Sequence, residues 1–232
     1  ADMCGFGDQW NKAAAEAAYE AGEATTPVEE GRALLIFVKN PEKGKVKTRL
    51  AKTIGEDAAL AAYMDMLAHT RAVALDVEAD RSLYYTSFVD HEDAWPAAHF
   101  HKRLQAQGDL GARMYSAFAD IFGAGHRKVL IIGSDCLDLR LAHLEAAFSA
   151  LDDHDFVVGP AEDGGYYLLG MRELTPRVFE NKQWSTESVL PDTLHDIQTL
   201  GRTVHTLDTL SDIDYEEDLR EARARNQSAH KT

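Results

Sequence analysis

The segment Arg32-Ala-Leu-Leu-Ile-Phe-Val38 is apolar without alternation. A strand with one wet face alternates apolar and polar side chains, so an unbroken apolar run demands cover on both faces, as in a parallel sheet. Lys128-Val-Leu-Ile-Ile132 reads as another buried strand, and Phe156-Val-Val158 as a strand. Further strands are expected at Ser82–Phe88, near His99–Arg103, at Tyr166–Leu169 and at Thr203–Leu207. Helical stretches lie between them: Lys47 to about Val77 with a break at Gly55, a helix after Gly108-Asp109-Leu110-Gly111, and others at about 141–151, 187–200 and from Tyr215. Strands alternating with helices imply an α/β protein of three layers, α/β/α, around a mostly parallel sheet.

Composition supports one such domain. The chain has 232 residues, 45% of them apolar, which is material for a core and argues against disorder. The net charge of −15 repels phosphate polyanions, so nucleic acid and anionic membrane are not expected partners. Two cysteines, Cys4 and Cys136, are too few for a disulfide framework or a structural zinc site. No apolar run approaches the roughly 20 residues of a membrane span. The N-terminal stretch carries Asp2, Asp8, Glu16, Glu20 and Glu23 and no basic region before an apolar one, unlike a secretory signal. These features lead to the expectation of a reduced, cytoplasmic protein. Residues 1–31 read as a helical appendage and linker that docks on the domain, mediates self-association into a homo-oligomer, or frays in solution. The domain proper is expected over 32–232.

In open α/β sheets ligands bind beyond the carboxyl ends of the strands. After the first strand the basic residues Lys39, Lys43, Lys45, Lys47 and Arg49 face only Glu42, which is anomalous in so acidic a chain. They sit where a helix begins, and there backbone N–H groups and the dipole favour an anion. Gly44 lets the backbone approach a phosphate. A solvated basic loop is the plainer alternative. The loop is not a Walker A motif, because Val46 follows Gly44-Lys45, and no G-x-G-x-x-G follows the strand.

After Ile132 comes Gly133-Ser134-Asp135-Cys136-Leu137-Asp138. Asp135, directly at a strand end, is placed to bind Mg²⁺ or Mn²⁺, which take oxygen ligands and share them with phosphates. Asp138 is better explained as a helix cap. Ser211-Asp212-Ile213-Asp214 precedes the last helix, and a second metal carboxylate is expected from Asp212 or Asp214, with Asp218 belonging to the helix.

These stretches together resemble a largely uncharacterised prokaryotic family of glycosyltransferases in the nucleotide-diphospho-sugar transferase superfamily. The matching residues are Phe37-x-Lys39-x-Pro41-x-x-Gly44-x-Val46-Lys47-Thr48-Arg49-Leu50-Ala51, Gln107-Gly108-Asp109-Leu110-Gly111-x-Arg113-Met114 and Ile132-Gly133-Ser134-Asp135-Cys136. They continue through Gly159-Pro160-Ala161-x-Asp163-Gly164-Gly165-Tyr166-Tyr167-Leu168-x-Gly170, Trp184-Ser185-Thr186 and Asp212-Ile213-Asp214-x-x-x-Asp218-Leu219. The guanylyltransferases of molybdenum-cofactor and phospholactate metabolism are looser relatives.

The resemblance implies a glycosyltransferase-A fold and assigns roles by position. Lys39, Gly44, Lys47 and Arg49 would hold nucleotide phosphates, and the turn of Gly108, Asp109 and Gly111 would lie against the nucleoside. Asp135 and Asp214 would bind the divalent metal. Asp163, Gly164, Gly165 and Tyr166 would line the acceptor side, with Asp163 as base or acceptor anchor. Leu137 stands where the family usually has proline, so the loop carrying Asp135 is less rigid. Cys136 reads as a small buried side chain, Trp184 as a core aromatic or a stacking surface, and the ten histidines carry no assigned role. At most one of Tyr166 and Tyr167 should face a ligand, because neighbours on a strand point to opposite faces.

The implied function is metal-dependent transfer of a glycosyl group from a nucleotide sugar to a small-molecule acceptor. A nucleotidyltransferase using a nucleoside triphosphate and releasing pyrophosphate would need the same cations and metal. A non-catalytic nucleotide-binding module acting through residues 1–31 is the third reading.

Overall fold

The computed structural model describes residues 31–229, so the N-terminal appendage expected over 1–31 lies outside the described residues apart from Gly31. Seven strands form one sheet: β1 (Arg32–Val38), β2 (Asp80–Tyr85), β3 (His101–Leu104), β4 (Lys128–Ile132), β5 (Phe156–Pro160), β6 (Tyr166–Met171) and β7 (Val204–Thr206). Six α-helices accompany them: α1 (Thr48–Ile54), α2 (Glu56–Asp76), α3 (Leu110–Gly123), α4 (Leu141–Asp153), α5 (Val189–Thr199) and α6 (Glu216–Ala229). A 3-10 turn spans Pro176–Phe179. Among the described residues no helix is long and apolar enough to cross a membrane.

The unbroken apolar run of β1 is explained by its two faces. Leu34, Ile36 and Val38 join a core with α1, α2, α4 and α6, while Ala33 and Leu35 join a second core with α3, α5 and the 3-10 turn. Leu34, Leu35 and Ile36 are all fully buried. Each such side chain contributes about 1.5–3 kcal/mol on leaving water, so both helical layers are anchored through the central strands. The helix breaks at Gly55, whose φ of 86° is left-handed backbone, so α1 and α2 are separate helices.

The strand order is β3-β2-β1-β4-β6-β5-β7. The chain lays β2 and β3 on one side of β1, then returns to place β4 on the other, parallel to β1 with Ile36 opposite Ile132. That reversal opens a crevice beyond the carboxyl ends of β1 and β4. The sheet is parallel except for β6, which runs antiparallel to both β4 and β5. The connection from Pro160 to Tyr166 is too short for a crossover, so β5 and β6 can only form a hairpin. It swings the Asp163 turn towards the same crevice.

Gly170 lets β6 fit between its neighbours. A Cβ there would lie 2.4 Å from Leu130 Cδ2 and 2.6 Å from Val157 Cγ1. Gly170→Ala is therefore expected to destabilise the domain by about 1–3 kcal/mol, read from urea unfolding midpoints.

At the far end of the sheet, His126 Nε2 lies 2.7 Å from Asp80 Oδ2. The hydrogen bond to Asp80, opposed by burial, raises the His126 pKa above 6.5, and the same bond lowers Asp80 below 3.8. A raised histidine stabilises below its unfolded pKa and loses that contribution as pH climbs through its folded pKa. A depressed aspartate contributes above 3.8 and loses that contribution as pH falls. The pair therefore stabilises most between about pH 4 and 6.5. Because Asp80 is half exposed, the contribution should stay under about 1 kcal/mol. His126→Gln should flatten the decline in stability between pH 6 and 8 relative to the parent chain.

Candidate active site

A single phenol fixes the two central strand ends. Tyr63, buried on α2, accepts from the Lys39 amide (2.9 Å) and donates to the Lys39 carbonyl (3.0 Å). Its oxygen also lies 3.2 Å from Ser134 Oγ, just beyond β4. Asn40 then ties the loop after β1 to the loop after β2: its Oδ1 accepts from the Ser87 amide (3.0 Å) and its Nδ2 donates to the Phe88 carbonyl (2.9 Å).

Beyond Asn40 the basic loop turns through Gly44, at φ 76°, and reaches Lys47 at φ 47° and ψ 45°. A non-glycine residue in this left-handed region costs about 1–2 kcal/mol. Lys47 precedes the first turn of α1, and its side chain is only 7% exposed. The ammonium lies 2.9 Å from Asp135 Oδ2 and 3.6 Å from Asp214 Oδ1. Burial disfavours its charge, but Asp135, Asp214 and Asp212 outweigh burial and hold the pKa above the usual lysine value.

The C-terminal motif arrives through the main chain. The Ile213 amide donates to the Asp135 carbonyl (3.1 Å), which sets Asp212 and Asp214 on either side of that contact. Asp218 holds the bend by accepting from the Asp214 and Tyr215 amides (3.0 and 2.7 Å). Asp214 faces the basic loop, where Arg49 Nη1 donates to it at 2.8 Å. Asp212 has no such partner. Its Oδ1 is buried with no hydrogen bond, and burial, followed by repulsion from Asp135 and Asp163, pushes its pKa up to about 8.

The crevice at this point has a volume of about 520 Å³, within the range of ligand sites. Lys39, Lys47, Arg49, Asp135 and Asp214 line it, as do Asp163, Gly165 and Tyr166 from the β5–β6 hairpin. The remaining expected residues support its wall. Gly44 packs against the Glu56 side chain, and Asp109 caps α3 by accepting from the Ala112 amide (2.8 Å). Gly108, at φ 114°, turns the chain into α3, and Leu110 and Arg113 from that helix reach the crevice. Gly111 admits the Trp184 ring: a Cβ there would sit 2.6 Å from Trp184 Cζ2. Gly164, at φ 88°, lies so close to Glu187 that a Cβ would come within 2.4 Å of its Cα.

Other expectations resolve as follows. Tyr166 lines the crevice, whereas the Tyr167 hydroxyl donates to the Asp208 carbonyl (3.1 Å) on the other face. Trp184 both packs on α3 and borders the crevice. Asp138 does not cap a helix; it pairs with Arg225 of α6 at 2.7 Å, and Arg140 is the residue that precedes α4. Burial raises the Cys136 thiol pKa to about 12, leaving it protonated and inert. Sequence reasoning passed over Tyr63 and Asn40, because a tyrosine inside a helix and an asparagine in a loop carry no local sign of the strand ends they join.

Among the described residues, no three His, Cys, Asp or Glu side chains stand close enough to hold a metal ion between them. The lysine ammonium stands among the carboxylates instead. Asp135 and the unpartnered Asp212 oxygen nevertheless suit Mg²⁺ or Mn²⁺, which take one or two carboxylates and complete their shells with substrate phosphate and water. The residues thus fit a cation that arrives with a phosphorylated ligand.

The site lies in a chain whose relatives share this architecture. The family model described as an uncharacterised protein conserved in bacteria (DUF2064) matches residues 66–186, just over half of the sequence. A Desulfovibrio desulfuricans G20 protein of known crystal structure, provisionally designated a nucleotide-diphospho-sugar transferase, is 32% identical, with a TM-score of 0.75 over 80% of this chain and 83% of that one. The chain belongs to this family, within the nucleotide-diphospho-sugar transferase superfamily. CMP:2-keto-3-deoxy-manno-octonic acid synthetase, solved with CTP, shares the fold at 12% identity and a TM-score of 0.53, covering 85% of this chain and 99% of its own. So does the Mycobacterium tuberculosis protein Rv0371c, solved with manganese, at 14% identity and a TM-score of 0.53, covering 82% and 97%. A comparison with curated proteins returns no match.

A cation entering here would compete with Lys47 for Asp135. Lys47→Met should therefore tighten binding of Mn²⁺ alone by about tenfold, the effect of removing one nearby positive charge in a half-exposed site. Mn²⁺ titration followed by electron paramagnetic resonance measures this, and unchanged or weaker binding would separate Lys47 from the cation site.

Proposed function

We propose that this protein is a divalent-metal-dependent transferase that binds a nucleotide diphosphate beyond β1 and β4 and transfers a glycosyl group to a small-molecule acceptor. The observation that carries the reading is the convergence at one topological switch point of a basic loop, Asp135 and an unpartnered buried carboxylate at Asp212. The manganese held by the Mycobacterium tuberculosis protein of this fold, and the designation of the Desulfovibrio relative, point the same way.

Arg49 presents a planar fork suited to bidentate phosphate contact, and Lys39, Lys45 and Lys47 act as point charges around it. On entry of the diphosphate, Lys47 exchanges Asp135 for a phosphate oxygen, and Asp135, with the unpartnered Asp212, would then hold Mg²⁺ or Mn²⁺. When bound there, a divalent cation would supply neutralisation of the charge that develops on the leaving group. Asp214 stays with Arg49 and positions it, so Asp212 takes the ligand role that the family resemblance gives to Asp214. In transfer, the acceptor oxygen bonds to the anomeric carbon as the bond from that carbon to the diphosphate oxygen breaks. The nucleoside diphosphate leaves with the electron pair, and Asp163 accepts the acceptor's proton at its free oxygen.

Nucleotidyl transfer is the second reading, favoured by the likeness to the CTP-binding synthetase. It uses the same cations on a nucleoside triphosphate, with attack at the α-phosphorus and loss of pyrophosphate.

Thermal unfolding with nucleoside diphosphates, triphosphates and nucleotide sugars, each with and without Mn²⁺, tests the assignment. A native-state ligand at 100 times its Kd adds about 2.7 kcal/mol. The expected result is a metal-dependent shift, abolished by Asp135→Ala and by Asp212→Asn but only reduced by Asp214→Asn. Asp212→Asn should not lower the midpoint of the ligand-free protein, since it removes an unpartnered buried acid. A shift that survives Asp135→Ala removes the metal site from the mechanism.

A further inference from the structure

The crevice is divided in charge. Every lysine and arginine that lines it comes from the β1–α1 side or from α3: Lys39, Lys45, Lys47, Arg49 and Arg113. The opposite half is built from the hairpin turn (Asp163, Gly165, Tyr166) and from Trp184, Ser185, Thr186 and Val189. Among the described residues lining that half, the only charged side chain at neutral pH is the carboxylate of Asp163. Two cations lie on the flanking segment, but neither is free. Arg177 donates to Asp196 at 3.1 Å, and Lys182, with a side chain 1% exposed, is engaged by the same carboxylate. Phosphate recognition in proteins rests chiefly on arginine, lysine or an open helix N-terminus. The N-terminus of α5 borders this half, but its first amides are engaged: Val189 donates to the Thr186 carbonyl (3.3 Å), Leu190 to the Gly164 carbonyl (2.9 Å), and Pro191 has no N–H.

What it does offer is suited to hydroxyl groups. Asp163 Oδ1 accepts from the Gly165 amide (2.9 Å), which orients the carboxylate and leaves its second oxygen able to accept from a hydroxyl. Ser185 stands at φ 64°, left-handed backbone that a non-glycine residue adopts rarely, and its hydroxyl has no hydrogen-bond partner among the described residues. Such strain persists where the surroundings enforce it and is a pointer to function. Trp184 supplies an aromatic surface, clamped between Gly111 and the crevice, that can cover the C–H face of a ring. The Leu190 amide donates to the Gly164 carbonyl (2.9 Å), so the turn and the 184–190 segment are fastened together.

We propose that this half-site takes an uncharged polyhydroxyl acceptor, a sugar or polyol, and discriminates against its phosphate esters. The proposal rests on the transferase reading. A hydroxyl of the acceptor is held between Asp163 and Ser185, and a phosphate at the same place would meet a carboxylate with no lysine or arginine of that half to offset it. Introducing one like charge beside another in such a site costs a tenfold factor or more in binding.

The test uses the full chain with Mn²⁺ and whichever nucleotide gives the metal-dependent thermal shift. Acceptors are offered as matched pairs: glucose and glucose 6-phosphate, mannose and mannose 6-phosphate, glycerol and glycerol 3-phosphate. Release of nucleoside diphosphate or pyrophosphate is followed above the hydrolysis baseline, and binding to the nucleotide-loaded protein is followed by calorimetry. The expected outcome is that the uncharged members bind and react at least tenfold better than their esters. Ser185→Gly, which relieves the backbone strain while removing the hydroxyl, should then raise the acceptor KM several-fold without moving the nucleotide-induced thermal shift. Preference for the esters, equal use of both, or no binding of either class to nucleotide-loaded protein overturns the acceptor proposal and leaves nucleotide binding intact. Absence of any metal-dependent nucleotide shift brings down the transferase reading itself, a separate and recognisable failure.

Discussion

The pairing of β1 with β4 is the constraint on which the chemistry depends. Two strands separated by nearly a hundred residues lie side by side, Ile36 against Ile132, with a helical layer on each face. Their burial fixes where the main chain emerges at Lys39 and at Gly133, and Tyr63 then holds both exits with one hydroxyl. Lys47 and Asp135 meet at 2.9 Å because the strands that lead to them cannot slide. A one-residue slip in a strand buried on both faces would exchange the contents of two cores, which close packing forbids.

That rigidity also explains how the protein tolerates an arrangement that is locally unfavourable. Lys47 sits in left-handed backbone with its ammonium buried, and Asp212 carries a buried oxygen with nothing to accept from. Neither would persist on a mobile loop, because a buried charge or orphan acceptor costs a few kcal/mol and the chain would rearrange to expose it. Main-chain bonds from Ile213 to Asp135 and from Asp214 and Tyr215 to Asp218 leave it no freedom to do so. The Lys47 ammonium and the Arg49 guanidinium hold Asp135 and Asp214 together across the crevice.

Much of this was legible in the residues. The unbroken apolar runs identified β1 and β4 as buried strands, and the glycine at position 55 marked the break between α1 and α2. The excess of positive charge in the first loop and the carboxylate at a strand end were visible because each contradicted its background: a basic cluster in an acidic chain, and an acid three positions beyond the apolar run Val129–Ile132. What could not be seen were features that depend on distance in space. The reversed direction of β6 follows from the short turn at 161–165 only once β5 and β6 are known to pair. The difference between Asp212 and Asp214 is invisible in an Asp-Ile-Asp triplet, since it arises from Arg49, 165 positions away, claiming one of the two. Asp138 illustrates the opposite error, where a sound local role, helix capping, gives way to a distant partner in Arg225.

The division of the crevice has a further consequence for how such a site can change. Its cationic side is carried mainly by the β1–α1 loop and is bound to the central strands through Tyr63 and Asn40, so substitutions there disturb the core contacts that place Asp135. Its other side is carried by a hairpin turn and an irregular segment that are fastened to each other through Gly164 and Leu190 and to α3 through Gly111 and Trp184. Those attachments leave the side chains of Ser185 and Thr186 at the surface, outside both cores. Replacing Thr186 would change the crevice surface with little effect on packing, because surface substitutions at unstrained positions usually change stability by no more than about 0.5 kcal/mol. The two sides of the crevice are therefore physically separable: one is bound into the architecture, and the other presents a few exposed positions on a rigid frame.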